Sequence, residues 1–343
     1  MNANESDTLL AEGDEAEQHG DLAAATTAYR RLSSSADPCT VAQGLFRLGR
    51  VAWRQGRLDD ALELYERARA AALELGDDDL RAAIENGVGS VFCQRGIFTQ
   101  ARASFAVASE LARSPALRGR IQINIGALAM LHDDAEVALE SYARAVEILE
   151  STPDDEALTL ALHNVALAHV ELESWDEAET ALARCLEIAG RRGDRSVMAS
   201  AMLNQAELRC EGEHYAEALE RSERSFALFG DLQDEAGRAA ALRVQGEIYR
   251  KMHQLEEAEP RLKEAIRIAG RLQLLTLEAE AARELGMVKA GRGDVTSATK
   301  WLRRALARFS LMSADDQMHA IEEQLAALKP WRPSGEQTTV KKR

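Results

Sequence analysis

Three asparagines, Asn124, Asn164 and Asn204, stand 40 residues apart. A side-chain amide carries a donor and an acceptor together, the complement of a peptide's own C=O and N–H. Asparagine is a mediocre helix former, so three in register ask for a reason beyond propensity. Two reasons remain open: contact with an extended peptide, or a bond within the scaffold or to water. Other chemistry is thinner. Of the seven histidines, His163 and His169 are six apart and do not share a helix face. His19, His132 and His253 fall at turns, where a histidine can favour a helix C-terminus. No HExxH, GxSxG, phosphate loop or GxGxxG stands in a suitable context, so catalysis is not expected. Cys39, Cys93, Cys185 and Cys210 form no CxxC pair and read as reduced packing thiols, with neither metal nor other cofactor implied.

The elements that position these residues follow from a recurring alanine. It occupies Ala25, Ala61, Ala101, Ala138, Ala178, Ala218, Ala258 and Ala298, at gaps of 36, 40, 37, 40, 40, 40 and 40 residues. A fixed period in this range marks stacked supersecondary units. Eight such units consume nearly all of the 343 residues, which leaves the surface of a repeat array to carry function. Apolar residues make up 46% and aromatics 5%, with 6 prolines, the profile of a packed all-helical chain. Within one unit, Leu58, Ala61, Leu62, Tyr65 and Ala68 recur at three- and four-residue steps and share a helical face. Gly56 marks the turn that closes the preceding helix. Each unit is expected to be an antiparallel helix pair whose apolar face needs its neighbours.

The order small residue, turn glycine, small residue, aromatic, small residue repeats in register. It reads Gly49, Gly56, Ala61, Tyr65, Ala68, then Gly89, Gly96, Ala101, Phe105, Ala108, and later Gly286, Gly293, Ala298, Leu302, Ala305. This pattern resembles the tetratricopeptide repeat over almost the whole chain. The resemblance implies an all-α, right-handed α-solenoid of about eight helix pairs. An interval near 40 is about six residues longer than the family's usual unit. It is similar to the units of kinesin light chains, Pins-type polarity adaptors and bacterial peptide-sensing regulators. Gly76-Asp77, Gly193-Asp194 and Gly230-Asp231 resemble the punctuation between their units. Pro260 falls inside a second helix, where a kink or a late helix start is expected. We expect a repeat array over 6–312 and a capping helix over 313–329, with Met318, Ile321, Leu325 and Leu328 on one face. A basic disordered tail is expected over 330–343.

In the family's geometry first helices line the inner groove. The position two residues before the small residue of each first helix faces it, here Arg47, Gly87, Asn124, Asn164, Asn204, Val244 and Glu284. In the long-unit relatives asparagines at this place hold the backbone of an extended peptide. One and two turns on come Arg50, Arg54, Glu207 and Glu211, so the groove is expected to be basic early, amide-rich in the middle and acidic late. The chaperone-binding clamp of the short-unit family members is not present in order. These features point to a non-catalytic protein–protein interaction scaffold that binds an extended peptide or a partner helix. The alternatives are a peptide-responsive signalling regulator acting through a separate effector, and a structural subunit or assembly factor.

Net charge is −15, with 8 acids against 2 bases over residues 1–40 and 10 against 16 over 260–343. Overall acidity argues against nucleic-acid binding. One basic cluster, Lys300, Arg303, Arg304 and Arg308, stands against it. No apolar run reaches membrane-span length and the first residues are unlike a signal peptide. No membrane partner is therefore expected, and a cytoplasmic location is. Alanine- and arginine-rich composition suggests a bacterial source.

Overall fold

In the computed structural model residues 3–18, 20–312 and 314–328 are described, and all regular structure among them is helical. His19, Ser313 and the expected tail lie outside the described residues. Helices pair in chain order: α1 (Ala3–Gln18) with α2 (Leu22–Ser33), α3 (Pro38–Arg54) with α4 (Leu58–Leu75), α5 (Asp78–Gln94) with α6 (Phe98–Leu111), and α7 (Pro115–Met130) with α8 (Ala135–Leu149). The series continues with α9 (Asp155–Glu171) and α10 (Trp175–Arg192), α11 (Arg195–Glu211) and α12 (Tyr215–Asp231), α13 (Glu235–Lys251) and α14 (Leu255–Leu272), and α15 (Leu275–Gly291) and α16 (Val295–Ser310). A single helix, α17 (Asp315–Ala327), follows. The chain forms two compact units, Met1–Ile188 and Ala189–Arg343.

Within each unit the packing is that of an α-solenoid. In the first, every helix from α1 to α8 packs on its successor, and α3, α5, α7 and α9 also pack side by side. In the second, successive helices pack from α11 to α17, and α11, α13 and α15 lie side by side. First helices therefore build a continuous face in each unit.

Two local devices impose this arrangement. One is a left-handed residue five positions before each recurring alanine: Gly20, Gly56, Gly96, Asp133, Glu173, Glu213, His253 and Gly293 all have positive φ. It reverses the chain between the helices of a pair, and side chains take over where glycine is missing. Aspartates then start helices: Asp37, Asp77, Asp154, Asp194 and Asp234 each accept a backbone N–H of the first turn, an arrangement that stabilises a helix start by about 1 kcal/mol.

The second device is a small-on-large contact between paired helices. A Cβ on Gly49 would lie 2.6 Å from the Tyr65 ring, and Tyr65 is fully buried. Gly13 and Tyr29, Gly89 and Phe105, and Gly126 and Tyr142 repeat the contact. In the second unit leucines fill it, as in Gly246 with Leu262 and Gly286 with Leu302. Fully burying one such side chain contributes about 1.5–3 kcal/mol.

Two expectations need correction. Gly230-Asp231 does not separate units: α12 runs to Asp231, the left-handed residue is Gln233 and the helix cap is Asp234. At Pro260 there is no late start, because α14 begins at Leu255 and runs through the proline. On α17, Ile321 is buried against the last pair, with Met318, Leu325 and Leu328 packed beside it.

Candidate functional site

On the face built by the first helices of the first unit, α3 carries Arg47, Arg50 and Arg54 at three- and four-residue steps. The fold sets two carboxylates of α1 opposite them. Arg47 donates to Asp14. Arg50 donates to Glu17 at 2.6 Å, and Arg54 reaches the carboxylate and the carbonyl of Glu17 at 3.2 and 3.1 Å. The Tyr29 hydroxyl donates to Asp14 at 2.7 Å and to Glu17 at 3.1 Å. Burial alone would raise the Glu17 carboxyl, but Arg50, then Arg54 and Tyr29, hold it below its ordinary value. Burial and Asp14 push the Tyr29 hydroxyl upward. The basic stretch expected here is thus compensated in large part inside the protein, two carboxylates facing three guanidiniums. The signal lay in the spacing of Asp14 and Glu17, three apart on one helix face.

Further along the same face the chemistry changes. At Gly87 a Cβ would lie 2.7 Å from Tyr65 Cζ, so this position serves packing. Asn124 on α7 donates from Nδ2 to Asn86 Oδ1 at 2.9 Å. That pair leaves the Asn86 Nδ2 amino group and the Asn124 Oδ1 acceptor without a partner among the described residues. Asn86 was not legible from the register because it stands one residue before Gly87. Asn164 is half-buried on α9, and among the described residues nothing bonds to its amide. Leu160 and Leu167 stand exposed one turn to either side of it.

A concavity of about 620 Å³ opens beside Asn124. Trp53 and Arg54 of α3 form one wall, Ser90, Cys93 and Gln94 of α5 the next, and Ala127 and Leu128 of α7 the third. Phe105 of α6 and the exposed Leu131 complete it. Trp53 Nε1 is buried with no acceptor among the described residues, a state that costs about 1–3 kcal/mol. The Cys93 thiol is raised by burial. A second concavity of about 460 Å³ lies between α8, α9 and α10, lined by Val146, Val165, His169 and Arg184 among others.

In the second unit the ladder position changes character. Asn204 on α11 is half-buried and already engaged by the protein, while Val244 and Glu284 are 1% and 2% exposed. The acids expected on this face are interleaved with cations. Arg243 bridges Glu207, Glu247 and Glu280, and Lys251 donates to Glu211 at 2.8 Å. Burial raises the Glu207 carboxyl, with Glu247 and Glu280 adding to it against the pull of Arg243. In the basic cluster, Arg304 donates twice to Glu278, at 2.9 and 2.6 Å, and Arg308 lies 3.1 Å from the same carboxylate. Glu278 is buried, so Arg304 and Arg308 share one carboxylate from beneath; Lys300 and Arg303 remain exposed. No helix among the described residues is long and apolar enough to cross a membrane.

The tetratricopeptide repeat profile matches residues 40–114, 117–191 and 197–271, and a second profile of the same repeat matches 243–312. The chain belongs to the tetratricopeptide repeat family. Similar solved structures include the apo form of RapI, at 15% identity over 80% of this chain and 99% of that one, with a TM-score of 0.66. A Rap protein complexed with competence and sporulation factor matches at 13% over 95% and 98%, with a TM-score of 0.63. A signal-transduction ATPase carrying a tetratricopeptide repeat sensor, from Pyrococcus horikoshii, matches at 14% over 96% and 50%, with a TM-score of 0.64. At these identities the likeness is one of fold. No curated protein matches the chain in sequence.

Proposed function

We propose that this protein is an interaction scaffold that holds an extended peptide of a partner along α5, α7 and α9. The open donor and acceptor of the Asn86–Asn124 pair carry the reading. They match the polarity of a peptide backbone, and they sit beside a concavity rather than on a flat face. The unbonded amide of Asn164, with Leu160 and Leu167 beside it, extends the same chemistry to the next repeat. The charges of α3 are largely spent on Asp14 and Glu17. A second reading, a peptide-responsive regulator that acts on a separate effector, draws support from the likeness in fold to a Rap protein solved with competence and sporulation factor.

Peptides selected from a random library on the full chain test the groove. Replacing Asn86, Asn124 and Asn164 together by alanine should leave the thermal melt unchanged. It should weaken the selected peptides by about tenfold or more, the loss expected for two or three hydrogen bonds. Undiminished affinity in a folded triple variant would overturn the assignment.

A further inference from the structure

We infer that the concavity between α3, α5 and α7 seats one large, neutral, apolar side chain of the bound peptide, and so sets which peptides are accepted. The inference rests on the peptide reading above and goes further, to a sequence preference. Phe105 and Leu128 are buried residues that line the cavity, with Cys93 half-buried beside them and the exposed Leu131. At about 620 Å³ the space exceeds what one aromatic or leucine side chain fills. The walls disfavour a charged occupant. Arg54 is the single ionic side chain among the lining residues, and it shares Glu17 with Arg50. A basic anchor would meet a like charge there, and an acidic one would lose hydration and compete with Glu17 for Arg54. A neutral anchor has no such loss, and its removal from water drives binding.

The Asn86–Asn124 pair takes the backbone on the α7 side. Grip and selectivity then come from different residues. The amides hold any extended backbone, and the cavity chooses the side chain.

The same library-selected peptides separate the two claims. They should share one bulky apolar residue, and its replacement by alanine should weaken binding to the wild type about 30-fold. Cys93→Trp fills the cavity and should abolish that preference. Leu131→Glu, at an exposed position, does the same by charge if the first variant fails to fold. Peptides lost in the asparagine variants but indifferent to all of these substitutions would overturn the anchor and leave the groove standing. Peptides indifferent to the asparagines as well, or no enrichment at all, would overturn both.

Discussion

At Glu213 the backbone holds φ at 61°, in the left-handed region that glycine occupies in four other repeats. A residue with a Cβ loses about 1–2 kcal/mol there, partly offset because it has less freedom to lose on folding than glycine. Glu213→Gly should therefore raise stability by about 0.5–1 kcal/mol, read as a higher urea midpoint with an unchanged slope. A second residue governs acid behaviour. The Glu259 carboxyl is held down to about 2 by hydrogen bonds from Lys263 and Lys289, and Arg292 lies 2.9 Å away. A depressed carboxyl contributes stability that is complete above its unfolded value, near 4.5, and disappears as pH falls through about 2. Glu259→Gln should lower the urea midpoint at pH 7, and the gap to wild type should narrow steadily below pH 4.5.

Among the elements, α14 carries the plainest defect. Pro260 sits in its second turn, cannot donate to the carbonyl four residues back, and faces solvent. Pro260→Ala should stabilise the second unit by up to about 3 kcal/mol, visible as a rise in melting temperature. The helix pairs themselves were legible in the sequence because their rules are local. The alanine, the turn residue five before it and the small residue facing an aromatic all recur within one unit. The Gly230-Asp231 boundary was misread for a related reason. A glycine can lie inside a helix, and the turn three residues later is built by Gln233, which carries no glycine signal. The site was less legible. Asp14 meets Arg47, and Glu17 meets Arg50 and Arg54, across 33 to 37 residues. Asn86 meets Asn124 from outside the register, and a periodic reading aligns equivalent positions without showing which different positions touch. Val244 and Glu284 show the converse, since the register holds but neighbouring side chains bury it.

For the molecule as a whole, stacked pairs mean that stability is assembled from neighbour contacts rather than from one central core. Gly49→Leu would force a side chain into the Tyr65 ring. Hydrogen exchange should then accelerate across α3 to α6 while α13 to α16 keep their protection. Uniform acceleration through both units would show a single cooperative array instead. The arginines of α3 have a consequence for encounters. With two of their three charges matched by Asp14 and Glu17, they project a weak field beyond the surface, so a peptide approaching this face is drawn in little from a distance. Capture there should proceed at the rate of unsteered collision, about 10⁵–10⁶ M⁻¹s⁻¹, and change little between dilute and concentrated salt. Competing peptides would then be told apart by how long each one stays.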